Sequence, residues 1–143
     1  MSELNIKFKL VNPERTVYEG VITQATLPTS IGEITILPRH CSYIASLQAG
    51  EIMIKENKKE IFLVVSGGFI EFHENKLIVL ADTAERAEEI DLERAQEARK
   101  KAQELKSKVI ATDEAEYARV LVALEKQSAR IKVAKRYHSR RIR

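Results

Sequence analysis

Every glycine, proline and phenylalanine of this 143-residue chain lies at or before Phe72. Beyond Ala84 the sequence is charged, rich in alanine and free of helix breakers. One architecture cannot serve both parts. Turn formers and β-branched residues in the first favour short strands. Alanine with long charged side chains in the second favours helix. The chain therefore reads as α+β, with an N-terminal β-sandwich of about ten short strands over residues 1–86 and a C-terminal helical hairpin over residues 87–143.

In the first part, Asn5 to Leu10 alternates polar and apolar residues, the period of a strand with one wet face. Strand-like runs around Val17, Val21, Ile22 and Thr26 are interrupted at Pro13, Gly20 and Pro28. Further strands follow at Ile34–Leu37, Ser42–Leu47, Ile52–Lys55, Ile61–Val65, Phe69–Phe72 and Leu77–Leu80, each bounded by turn residues. Short strands this closely spaced indicate a sandwich or barrel. Ser66-Gly67-Gly68 is no phosphate loop, because a strand and not a helix N-terminus follows it; a strand junction or close backbone approach is expected instead.

In the second part, Asp91 is the expected N-cap of a helix running to about Val109, with Ile90 and Ala95 as a hydrophobic staple. Ala95, Ala98, Ala102, Leu105 and Val109 recur at steps of 3 and 4 residues, a heptad seam. Ala111-Thr112-Asp113-Glu114 forms a connector, with Asp113 and Glu116 resembling a capping box. A second helix follows, its seam at Tyr117, Leu121, Leu124, Ser128 and Ile131. A short link makes the two helices antiparallel. An alanine seam buries about one methyl per residue, roughly 0.8 kcal/mol each, so the hairpin alone is marginal. A second helix held this loosely suits a two-state switch, and the alternative is a fixed hairpin docked permanently on the sandwich.

Charge is split between the parts. Residues 1–85 carry 8 Lys/Arg against 11 Asp/Glu, residues 86–143 carry 16 against 10, and Lys126 to Arg143 has 8 basic residues and no acid. Such an end seeks an acidic protein surface, a nucleotide or nucleic acid, or anionic lipid. Cys41 is alone, which excludes an internal disulfide and fits a reducing compartment. No apolar run approaches the ~18 residues of a membrane span, and no signal peptide is visible. His40, His73 and His138 are far apart, without metal-ligand spacing. Neither a nucleophile–base set nor a carboxylate pair stands out, so no catalytic role is expected.

Five ordered segments carry a resemblance over nearly the whole chain: Gly32-Glu33-Ile34-Thr35-Ile36-Leu37-Pro38-Arg39-His40, Leu47-Gln48-Ala49-Gly50, Val65-Ser66-Gly67-Gly68-Phe69, Val79-Leu80-Ala81-Asp82-Thr83-Ala84 and Ile90-Asp91-Leu92-Glu93-Arg94-Ala95. The chain resembles the epsilon subunit of bacterial and chloroplast F-type ATP synthases, called delta in mitochondria. The resemblance implies a non-catalytic rotor subunit at the cytoplasmic face of the bacterial plasma membrane, peripheral and not inserted. Its sandwich would join the gamma subunit to the c-ring, through residues that include Glu33, His40, Gly67, Gly68 and Phe69. Glu33 and His40 would lie on loops facing the ring. Its helical arm would lie on the sandwich or extend into the alpha/beta head and block ATP hydrolysis. The basic face for that contact would be Lys126, Arg130, Lys132, Lys135, Arg136, Arg140 and Arg141. The chain departs from the family at Arg39-His40-Cys41-Ser42, where Gly-His-Ala-Pro is common; this alters loop stiffness.

No cofactor is required, but the resemblance implies a regulatory ATP. Asp91, Arg94 and Ala95 would contact it, with Glu85 and Ile90 adjoining and Lys101, Lys126 and Arg130 at the phosphates. Lys101 and Lys126 stand where strong binders tend to have arginine. Lysine lacks the planar fork that grips phosphate bidentately, so tight binding is not expected. Two rival readings are a free-standing nucleotide sensor and a nucleic-acid-binding β-domain with a basic arm. The sandwich is acidic and its aromatics are not interleaved with Lys/Arg, which disfavours the second.

Overall fold

A computed structural model describes residues 4–109 and 113–141. Ten strands come first: β1 (Ile6–Val11), β2 (Thr16–Ile22), β3 (Gln24–Thr29), β4 (Gly32–Ile36), β5 (Tyr43–Leu47), β6 (Gly50–Glu56), β7 (Lys59–Val65), β8 (Gly68–His73), β9 (Lys76–Ala81) and β10 (Ala84–Arg86). A 3₁₀ turn (Ala87–Glu89), α1 (Leu92–Lys108) and α2 (Glu114–Arg141) complete the chain. The expected fold class is the observed one. Ala111 and Thr112 of the expected connector lie outside the described residues.

The strands form two layers. One runs β2-β1-β9-β8-β5, and the other β4-β3-β6-β7-β10. A single bridge, Thr29 opposite Leu47, joins them. All pairings are antiparallel except β1 with β9. Alternation points Ile6, Phe8 and Leu10 of β1, Ile52 and Ile54 of β6, and Leu77 and Val79 of β9 into one core. Tyr18 of β2 closes the layers from the side: its hydroxyl donates to Glu56 Oε2 of β6 at 2.7 Å. Burial, with the Glu56 hydrogen bond and charge, lifts the Tyr18 pKa to about 12 against the opposing Arg86 charge, so the phenol keeps its proton.

The run Ile61–Val65 is continuous because β7 is covered on both faces. Leu63 and Val65 enter the sandwich core. Phe62 and Val64 join Ala87, Ile90, Ala95, Ile131, Val133 and Ala134 in a second cluster beneath the arm. α2 makes that contact and packs against α1 as well.

Both helix starts are capped as expected. Asp91 Oδ1 accepts from Arg94 N at 3.2 Å, and Asp113 Oδ1 from Glu116 N at 3.1 Å. The seams differ from the heptad reading. On α1, Ala95 and Ala102 are buried but Leu105 is 54% exposed. On α2, Ser128 is exposed and Tyr117 is 37% exposed, whereas Val120, Val133 and Ala134 are buried. The reason is that α2 has two neighbours. Its C-terminal half spends an extra apolar stripe on the sheet, which a two-helix seam does not foresee. β10 is also an addition: three residues with a single buried side chain, Ala84, give little strand signal.

Candidate functional site

Two surfaces stand out, one on each layer. The outer face of the β2-β1-β9-β8-β5 layer carries no covering element among the described residues. Across it, Val11, Leu80, Phe69 and Ser46 form one cross-strand row. Lys9, Ile78, Glu71 and Ile44 form the next. Phe69 is 61% exposed and Leu80 54%, with Ile44, Ile78 and Val21 also open to solvent. Phe69 and Leu80 line a shallow hollow with Val11 and Pro13. A contiguous apolar face of this kind marks a place where another protein sits.

Of the neighbouring expected contact residues, Gly67 is buried and Gly68 half-buried. Only Phe69 of that trio presents a side chain outward. Both glycines have positive φ, +134° and +131°. They form the close backbone approach expected of them, with Asp82 N donating to Gly67 O at 3.0 Å. Glu33 and His40 are not side by side on one set of loops. Glu33 opens β4 opposite Pro28, and His40 follows the other end of that strand. His40 packs edge-on against Phe72 and Tyr43. The β4 strand lies between them in the chain.

The second surface is the seam between the arm and the β6–β7–β10 side. Three arginines of α2 cross it. Arg130 grips Glu85 of β10 through Nε (2.6 Å) and Nη2 (3.2 Å), and its Nη1 donates to Gln127 at 2.8 Å. Arg136 donates to Glu51 Oε1 of β6 at 2.5 Å. Arg140 pairs with Glu60 of β7. Arg136 and Arg140 also lie over the Phe62 ring, 5.9 and 4.7 Å from its centroid. Planar, weakly hydrated guanidinium suits this mixed pairing and stacking better than lysine does. Lys132, Lys135 and Arg141 of the expected basic face are exposed.

Lys126 lines a groove with Arg15, Asp82 and Glu85, beside the Arg130–Glu85 pair. Ile90 and Ala95 are buried in the second cluster. The Asp91 carboxylate caps α1. Arg94 and Lys101 are exposed, seven residues and therefore two turns apart on one face of α1. Of the eight residues expected around ATP, the fold thus gathers Glu85, Lys126 and Arg130 at one spot. Among the described residues, no group of His, Cys, Asp and Glu could hold a metal ion.

Residues 5–87 match the profile of the ATP synthase delta/epsilon chain β-sandwich domain, and residues 88–135 that of its long α-helix domain. The chain belongs to the ATP synthase delta/epsilon family. The ATP synthase epsilon chain of Desulforamulus reducens is 39% identical over 129 residues, 90% of this chain and 96% of that one. The epsilon chain of Nitratidesulfovibrio vulgaris is 34% identical over 131 residues, covering 92% and 96%. A chain in the cryo-EM structure of Euglena gracilis mitochondrial ATP synthase (OSCP/F1/c-ring) shares the fold at TM-score 0.75, with 24% identity over 88% of this chain and 79% of that one.

For this family member the partners of the arm's arginines are its own sandwich carboxylates. Sequence reasoning missed Glu51, Glu60 and Phe62 in that role. The one local signal was the unbroken apolar run at Ile61–Val65, which announces a sheet covered on both faces. The Arg130–Glu85 pair is the least exposed of the three on the arginine side, at 16%, with the carboxylate at 34%. Arg130→Ala is expected to weaken docking of α2 by about 1–2 kcal/mol, discounted for the partial exposure of Glu85. Faster hydrogen exchange along the C-terminal half of α2, with β1 and β9 unchanged, checks it.

Proposed function

We propose that this chain works as the epsilon-type rotor subunit of an F-type ATP synthase, with the apolar outer face of the β2-β1-β9-β8-β5 layer as the seat of gamma. The observation that carries the reading is the asymmetry of the two layers. One outer face is covered by the arm, while the other presents Phe69, Leu80, Ile78 and Ile44 to solvent. Family membership supplies the occupant. Loops at one end of the sandwich would meet the c-ring, near Glu33 and the exposed Ile31.

The chain transmits torque and regulates; it does no chemistry itself. Among the described residues no helix is long and apolar enough to cross a membrane. A central-stalk position, peripheral to the membrane, needs none. The cytoplasmic face of a bacterial plasma membrane is the proposed place.

The arm is proposed to inhibit hydrolysis by leaving the sandwich and extending into the alpha/beta head. Its arginines support this, because an acidic partner surface would replace Glu51, Glu60 and Glu85 one for one. Release exposes Phe62 and Val64, so it needs compensating contacts elsewhere. Truncation after Ala87 in the assembled synthase is expected to raise ATP hydrolysis by roughly threefold to tenfold, about 0.7–1.4 kcal/mol of barrier. An unchanged rate with coupling intact would make the arm passive.

Regulatory ATP belongs to the same proposal, held at the groove of Lys126 and Arg130. Glu85 already occupies Arg130, and Lys101 and Lys126 are point charges, so binding is expected to be weak. Calorimetric titration of the intact chain tests it; a tight complex would require the Glu85–Arg130 pair to open.

A further inference from the structure

Glu51 sits beneath the C-terminal half of α2. Alternation along β6 turns Ile52 and Ile54 into the core, and so turns Glu51 and Met53 outward against the arm. Glu51 Oε1 accepts from Arg136, but Oε2 is buried with no hydrogen-bond partner among the described residues. The cavity around it is lined by Glu33 of β4, Glu60 of β7, and Arg136 and Arg140 of α2, with Thr26, Met53 and Phe62. Lys132 of α2 adds its charge. Three carboxylates thus face two guanidiniums and one ammonium, and no protein donor among the described residues offsets the burial of Oε2. A bare carboxylate oxygen in such a place is costly.

A proton on Oε2 removes that cost. It turns the orphan acceptor into an O–H donor among neighbouring carboxylates, while Oε1 still accepts from Arg136. We propose that docking of the arm takes up a proton at Glu51, so that the arm docks more firmly as pH falls and loosens as pH rises. This rests on the reading above, in which the arm has a docked and a released state.

The direction follows from linkage. Burial holds the Glu51 pKa above the ordinary carboxylate value; Arg136, Lys132 and Arg140 oppose that shift and Glu33 adds to it. With α2 gone, the outer face of β6 is wet and Glu51 returns to an ordinary value, about 4.3. The docked state therefore binds the proton more tightly. Its advantage is complete below the ordinary value and is lost as pH rises through the raised one. One proton changes the docked-to-released ratio by at most about tenfold per pH unit.

The test uses the intact chain. A carboxyl-carbon NMR titration of Glu51 is expected to place its midpoint above the ordinary range. Energy transfer between labels at Lys9 and Lys135, with Cys41→Ser, reads the arm position. In the Arg130→Ala background, which brings the released state into range, the docked share is expected to rise as pH falls through the raised Glu51 midpoint that the NMR titration finds. Glu51→Gln is expected to abolish that dependence and keep the arm docked. A Glu51 midpoint at or below about 4.3 overturns the proposal. So does release of the arm by Glu51→Gln at every pH, which would make the ionised pair with Arg136 the true latch. Gamma binding by the unlabelled Arg130→Ala and Glu51→Gln chains is expected to stay unchanged, so failure of the rotor reading would appear there and not in the titration.

Discussion

Gly68→Ala is expected to cost on the order of 4 kcal/mol, a large share of the roughly 5–15 kcal/mol that holds a domain folded. A Cβ on Gly68 would lie 2.0 Å from the Leu80 carbonyl oxygen and 2.9 Å from Ala81 Cα, and both are backbone atoms of the paired strand β9. Backbone cannot step aside as a flexible side chain does. The φ of +131° adds strain for any residue with a Cβ. Gly68 also sits at the junction where β8 pairs with both β5 and β9, opposite Leu47 and Ala81. Relief of the clash would therefore open the β8–β9 ladder and uncover the core beneath Ile70 and Val79. A urea midpoint lowered by the equivalent of several kcal/mol, with unchanged slope, is the expected measurement. A loss under about 1 kcal/mol would mean that the strand junction has slack the close approach does not show.

The same glycines show how far local reading reaches. Gly67-Gly68 between two strand-like runs was legible as a junction, because only a chain reversal or close approach explains glycine there. The alternation at Ile6, Phe8 and Leu10 and the caps at Asp91 and Asp113 were legible for the same reason: each is a short-range pattern with one structural use. What was not legible depends on contacts between distant segments. β1 pairs in parallel with β9 across some seventy residues of sequence. Nothing in either strand names the other. The second buried stripe of α2 exists only because β7 lies beneath it. Glu51 and Glu60 look like solvated strand carboxylates until Arg136 and Arg140 are laid over them.

The basic C-terminal run illustrates a different limit. Its charge pointed to an acidic partner, and the arm has found one inside its own chain. Arg130, Arg136 and Arg140 are satisfied by Glu85, Glu51 and Glu60 on the net-acidic sandwich. Composition alone cannot separate an internal partner from an external one, because both obey the same attraction. An arm that must serve two sites gains from this equivalence. If the arm is released as proposed, an acidic surface in the second state would leave no row of arginines unpaired, and one proton at Glu51 would bias the choice.

On the opposite layer, replacing Phe69 and Leu80 together by aspartate is expected to abolish stable pairing with gamma while leaving the fold intact. Both side chains point away from the core and are more than half exposed, so the sandwich loses little buried contact; a change in stability of under about 1 kcal/mol is expected. Binding is another matter. Each large apolar side chain contributes about 1.5–3 kcal/mol when fully covered, and a carboxylate in its place must be desolvated without a partner. Discounting for incomplete burial, the pair is expected to cost about 3–4 kcal/mol, a weakening of a few hundredfold to a thousandfold. Lys9→Ala, in the adjoining row, is expected to change affinity little, since rim charges act mainly on association rate. Calorimetric titration of purified gamma into each variant, beside their unfolding curves, distinguishes the outcomes. Weak binding by a well-folded double variant places gamma on this face. Full affinity would move the gamma seat elsewhere on the sandwich, and the exposed row of Val11, Leu80 and Phe69 would then need a different occupant.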